Sequence, residues 1–113
     1  LLLTTDLNNP GRRGAAIARA AAASAMARTW GDCYGYVLVA TGRAEAMIDA
    51  VVNIWDTAPL QTIIEEAGGH FLDWKGEPKI DTGDAIATNG LVTEEVLALT
   101  RNSATEPKNY RGL

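Results

Sequence analysis

The sequence predicts an α/β fold, in which a sheet and helices pack in layers. Three observations lead there. Short apolar or β-branched runs alternate with helix-patterned stretches, one of those stretches is dominated by alanine, and glycine or proline marks most of the changes between them. A length of 113 residues suits one domain with one core.

Taken in order, LLLTT (1–5) reads as a buried strand and DLNNPGRRG (6–14) as a loop. AAIARAAAASAMAR (15–28) reads as a helix, because alanine is the best helix former and almost nothing in the stretch is β-branched. YGYVLVAT (34–41) is expected to be a strand, Gly42-Arg43 a turn, and AEAMIDAVV (44–52) a partner strand. Leu60, Ile63, Ile64 and Ala67 then fall at i, i+3, i+4 and i+7, one face of a helix. Pro59 fits only in the first turn of that helix, which puts its start at Asp56 or Thr57, and Gly68-Gly69 end it. HFLDW (70–74) reads as a short strand, KGEPKIDTGD (75–84) as a polar turn region and AIATN (85–89) as a last buried strand. TEEVLALTR (93–101) is a closing helix with Thr93 as its cap, and 102–113 a frayed tail. Neither repeats nor a linker divide the chain, so residues 1–113 are expected to form a single α/β domain.

Composition excludes several classes of function. The chain is 47% hydrophobic and 21% charged, and none of its apolar runs approaches the roughly 20 residues that cross a bilayer, so no membrane role is expected. A net charge of −4 offers no basic footprint for nucleic acid. One cysteine, Cys33, cannot pair within the chain, which points to a reducing cytoplasm. A start at Leu1 instead of methionine suggests a fragment.

Among the polar residues, Asp56 carries the sharpest question. It heads the helical segment, where a carboxylate either accepts the unpaired N–H groups of the first turn or projects into a crevice and holds a cation. Asp32 could simply turn the chain after Trp30-Gly31, and Asp49 could be a polar strand end. Cys33 as a nucleophile needs a nearby histidine and a cationic environment, yet the single histidine, His70, lies beyond the helix at a strand start. Glu66 reads as a turn-fixing residue, Glu94-Glu95 as a solvated first turn that complements the helix dipole, and the alanine-rich helix as close packing.

WDTAPLQTIIEEAGG (55–69) resembles the second signature of the inositol monophosphatase family, in which Trp-Asp opens a helix that closes with Glu-Ala-Gly-Gly. The stretch before it, WGDCYGYVLVATGRAEAMIDAVVNI (30–54), is similar to the family's lead-in: a glycine-led substrate loop, a core strand ending Ala-Thr-Gly, and an acid seven residues before the signature aspartate. The likeness continues through FLDWKGE and AIATNGLVTEEVLALTR to about residue 101.

This resemblance implies a Mg²⁺-dependent phosphomonoesterase and the carboxyl-terminal α/β half of a layered αβαβα fold. It implies Asp56 as a metal ligand, Asp49 as the acid that holds a substrate hydroxyl or polar group, and Gly31, Asp32 and Cys33 as the loop beside the substrate. An Asp-Pro-x-Asp-Gly element and an upstream glutamate are missing from these 113 residues. The chain is therefore expected to supply one metal ligand and the substrate pocket, no further catalytic residue, and no activity alone. Mg²⁺ takes six oxygens, which one carboxylate cannot provide. The wording GDCYGYVLVATGRAEAMID resembles the histidinol-phosphate phosphatase branch of histidine biosynthesis, and an acid at 32 suits a cationic substrate; Pro59 and Ala50 depart from the pattern. Inositol-1-phosphate hydrolysis is the alternative substrate assignment. A non-catalytic α/β binding domain or inactive fragment is the alternative of another class. The expected partners are a small-molecule phosphate monoester and the amino-terminal half of the same enzyme. Half a layered fold would also leave an apolar sheet face to be covered, and a homodimer stays open.

Overall fold

The computed structural model describes residues 1–5, 11–29 and 34–100. The elements in chain order are β1 (Leu2–Thr4), α1 (Gly11–Ala23), β2 (Ala27–Thr29), α2 (Tyr34–Ala40), β3 (Ala46–Asp49), α3 (Ile54–Glu66), β4 (His70–Leu72), β5 (Ala85–Thr88) and α4 (Thr93–Thr100). The strands form a sheet in the order β2-β1-β3-β5-β4. β1 runs parallel to both β2 and β3, whereas β5 is antiparallel to β3 and β4.

Side chains alternate across the sheet as the strand period requires. Leu2, Ala46, Ile48 and Ile86 pack with Ala16, Ile17 and Ala20 of α1 and Val96 and Leu97 of α4. Leu3, Met47, Ala85, Ala87 and Phe71 pack on the other side with Tyr36 and Val39 of α2 and Leu60 and Ile64 of α3. Helices thus cover both faces, and the expected uncovered apolar face is absent from the described residues.

The predicted α/β class is the one observed, with several local corrections. The first helix begins at Gly11 inside the expected loop and ends at Ala23, because Ala27–Thr29 pairs with β1 as the sheet's edge strand. There ladder hydrogen bonds outweigh alanine's helix preference. Residues 34–40 are helical, not a strand. They form the crossover between β2 and β3, both parallel to β1, and a parallel connection needs such a crossover. The helix closes with Gly42 at φ 79°, where Gly42 N–H bonds Val39 O and Arg43 N–H bonds Leu38 O, a Schellman end.

α3 starts at Ile54, with Asn53 at the cap position, earlier than expected. Pro59 therefore sits in the second turn. Its missing N–H strands the carbonyl of Trp55, a residue 73% exposed, so water can satisfy that carbonyl. The buried face is Thr57, Leu60 and Ile64, with Ile63 and Ala67 turned outward. The end is as expected: Gly68, at φ 90°, donates to Glu65 O and Gly69 to Ile64 O. β4 stops at Leu72, since Asp73 Oδ1 accepts the N–H groups of Lys75 and Glu77 and turns the chain. Thr93 is the first helical residue of α4 and not its cap; Val96 N–H bonds Val92 O, and the Thr93 hydroxyl is engaged by Thr88 and His70. The expected tail, 102–113, lies outside the described residues.

Candidate active site

β1 and β3 are parallel neighbours, and the chain leaves their carboxyl ends on opposite faces of the sheet, from β1 into α1 and from β3 into α3. Such a reversal opens a crevice at the carboxyl ends of the two strands. A cleft of about 130 Å³ lies there, lined among others by Thr5, Tyr36, Asp49, Asn53, Asp56 and Thr57. Two of the acids selected from sequence, Asp49 and Asp56, meet on its wall.

Asp49 is the last residue of β3 and only 5% exposed. Its Oδ2 accepts the Tyr36 hydroxyl at 2.5 Å and its Oδ1 accepts the N–H of Thr5 at 3.2 Å. Burial pushes its carboxyl above the ordinary aspartate value, and the Tyr36 and Thr5 hydrogen bonds oppose that shift. A carboxylate held in this way keeps lone pairs for a donor in the cleft.

Asp56 differs in every respect. It lies in the first turn of α3 and is exposed, and its carboxylate has no hydrogen-bonded partner among the described residues. The helix N-terminus stabilises negative charge there. Asn53, at the cap position, makes no side-chain cap bond. Asp56 is thus not the cap of α3, and its oxygens face solvent at the cleft. α3 itself is anchored by Thr57, buried in its first turns, whose hydroxyl donates to Ile80 O at 2.8 Å, and by Gln61, which donates to Pro78 O.

Gly31, Asp32 and Cys33 lie outside the described residues. His70 opens β4 at the other end of the sheet, level with Ala46 through their shared partner Thr88, and its Nδ1 is 2.7 Å from the Thr93 hydroxyl. Among the described residues no three acidic, histidine or cysteine side chains gather as a metal-binding group. A larger cavity, about 180 Å³, opens at the amino-terminal end of the sheet between α1 and α4. Its walls are mainly apolar, including Leu2, Ala20, Val96 and Leu99, and it contains neither Asp49 nor Asp56. The converging acids place the candidate site in the smaller cleft.

Sequence reading missed Tyr36 and Thr5, which fix Asp49, and three buried residues behind them, Trp74, Arg13 and Asp84. Nothing local marks these five, because each acts through a partner distant in the chain. Among the described residues no helix is long and apolar enough to cross a membrane.

Comparison with known proteins gives a family and a fold. The model of the inositol monophosphatase family matches residues 5–106. A histidinol-phosphatase of Chlorobaculum parvum is 40% identical over 78 residues, covering 68% of this chain and 30% of that protein. A histidinol-phosphatase of Mycobacterium tuberculosis is 40% identical over 70 residues, covering 62% of this chain and 27% of that protein. An inositol monophosphatase from Zymomonas mobilis superposes with a TM-score of 0.79 at 24% identity, over 88% of this chain and 41% of that structure, and shares the fold. The chain thus spans less than a third of the length of these two curated relatives.

Proposed function

The chain belongs to the inositol monophosphatase family, and on that premise we propose that it forms one wall of the active site of a Mg²⁺-dependent phosphomonoesterase that hydrolyses histidinol phosphate. The observation that carries this reading is the meeting of Asp49 and Asp56 in one cleft, with Asp49 buried and held and Asp56 exposed and unpaired among the described residues.

Asp56 suits one ligand position of Mg²⁺, a hard cation that takes carboxylate oxygens and keeps several waters. When bound, the metal would neutralise phosphate charge and lower the pKa of a coordinated water. Asp56 would hold the metal and would not act as a base. Further ligands must come from other residues of the complete protein, so these 113 residues alone are expected to be inactive.

Asp49 is the substrate-binding acid. Tyr36 and the Thr5 amide hold its carboxylate at the cleft, where it accepts a hydrogen bond from a hydroxyl, ammonium or imidazolium of the substrate. Gly31, Asp32 and Cys33, just before α2 in sequence, are assigned to substrate binding, with Asp32 as the second acid toward a cationic substrate. A charge-assisted hydrogen bond is worth roughly 1.5–3 kcal/mol, on the order of tenfold to a hundredfold in specificity. A neutral cyclitol can donate only hydroxyl groups to these carboxylates and gains no attraction between opposite charges. The histidinol-phosphatase relatives support the same assignment.

The test is turnover of histidinol phosphate and inositol phosphate by the complete protein with Mg²⁺. Histidinol phosphate is expected to be preferred, and Asp32→Ala to lower kcat/KM for it alone by roughly tenfold to a hundredfold. Equal loss on both substrates, or better hydrolysis of inositol phosphate, replaces the histidinol-phosphate assignment with the inositol-phosphate one.

A further inference from the structure

Behind Asp49, on the sheet face opposite Tyr36, lies the fully buried Trp74. Its indole N–H is 2.9 Å from the main-chain oxygen of Asp49 and 3.3 Å from that of Ala85. Asp49 and Ala85 are the last pair of the β3–β5 ladder. Past that pair the chain bends away at Ala50 and Val51 before Val52 N–H bonds Gly83 O. The indole therefore clasps two strands where their own pairing stops.

The ring is held in turn. The main-chain N–H of Trp74 donates to Asp84 Oδ1 at 3.1 Å, Arg13 Nη1 bonds Asp84 Oδ2 at 3.0 Å, and the Arg13 guanidinium carbon stands 4.7 Å from the ring centroid. Arg13 and Asp84 are both buried. A buried ion pair adds little net stability over apolar packing, since desolvating two charges offsets their attraction. Its planar fork does fix an orientation. Here the group so oriented is the indole that grips the end of β3.

We propose that Trp74 is a positioning residue for the Asp49 carboxylate. By fixing the Asp49 carbonyl from one face of the sheet, it keeps the side chain registered between the Tyr36 hydroxyl and the Thr5 N–H on the other, and the Arg13–Asp84 pair locks the ring. This rests on the reading of Asp49 as a substrate-binding group.

The test is Trp74→Phe in the complete protein, alone and combined with Asp49→Asn. Because Asp49 binds substrate before and during the reaction alike, losing its placement is expected to raise KM roughly three- to tenfold with kcat nearly unchanged. In the Asp49→Asn background the same change is expected to leave KM where it is, as non-additivity requires of residues acting through one group. An equal rise in both backgrounds, or none in either, overturns the proposal. Should Trp74→Phe fail to fold, benzothienylalanine at position 74, which keeps the shape and removes the N–H, decides in its place. A readout without turnover separates failure of the clasp from failure of the phosphatase reading. With Trp74 replaced, the Thr5 amide is expected to exchange hydrogen several-fold faster while that of Met47, inside β3, does not change. An unaltered Thr5 amide overturns the clasp even where turnover is absent.

Discussion

The Tyr36 hydroxyl donates to the buried Asp49 carboxylate at 2.5 Å, and it does so from α2, the crossover helix that brings the chain back to β3. Fold and site are joined at this bond: the helix that covers one face of the sheet also holds the acid at its carboxyl end. Removing the donor with Tyr36→Phe leaves a buried charge one partner short. A loss of about 1.5–3 kcal/mol in unfolding free energy is expected near neutral pH. The loss should shrink in acid, where Asp49 is protonated and no charge is left to be satisfied. Urea unfolding at both pH values checks this; a variant as stable as the wild type at neutral pH means that the bond does not form in solution.

Asp49 itself makes a prediction about pH. Its folded-state carboxyl is raised above the ordinary value, so between the two values the native chain binds more protons than the unfolded one. Stability from this group is therefore greatest below the unfolded value, falls as pH rises toward the folded one, and stays reduced above it. Asp49→Asn removes the titration. The variant is expected to gain stability relative to the wild type as pH rises through that window, and melting curves of both proteins across the acid range isolate the difference. A gap that narrows with rising pH instead means that hydrogen bonding, not burial, dominates at Asp49.

How much of this could be read from the sequence depends on the reach of each signal. Gly68-Gly69 ends α3 through local hydrogen bonds to Glu65 and Ile64, so that end is visible in a few residues. Gly42 carries the same signal for α2, but the apolar run 34–40 suits strand and helix equally, and only its place between two parallel strands decides. The fate of Ala27–Thr29 is set by pairing with β1, more than twenty residues away. The acids of the site show a similar split. Asp49 and Asp56 are seven apart in a recognisable pattern, and the cleft that joins them follows from the strand order. Their support does not. Tyr36 to Asp49 spans 13 residues, Trp74 to Asp49 25, and Arg13 to Asp84 71. Hydrogen bonds over such separations leave no periodicity in the chain.

Asp56 separates helix stability from metal binding. It stands in the first turn of α3 and not at its cap, so Asp56→Asn removes only a charge favoured by the helix dipole, about 0.3–1 kcal/mol. Activation of the complete protein by Mg²⁺ should weaken far more than folding does, because an amide oxygen is a poorer ligand than a carboxylate for a hard cation. Melting and Mg²⁺ titration on the same preparation check it. Unchanged metal dependence with a large loss of stability would return Asp56 to a purely structural role.

At the far end of the same helix, Gly69 is packed where a side chain has no room. A Cβ there would stand 2.2 Å from the carbonyl oxygen of Thr88 and 3.1 Å from Ile64 Cγ2. The first is main chain of β5 and cannot swing aside, so Gly69→Ala must push α3 away from the sheet. Overpacking of this kind costs about 1–3 kcal/mol, sometimes more. Gly68 is constrained differently: its φ of 90° disfavours a side chain, yet a Cβ there meets nothing within 4 Å. Asparagine tolerates such backbone better than most residues, so Gly68→Asn is expected to cost little, whereas Gly69→Asn should destabilise at least as much as Gly69→Ala. Thermal unfolding of the three variants orders them. Equal losses at 68 and 69 would show that backbone conformation, and not the approach of α3 to Thr88, fixes the glycine pair.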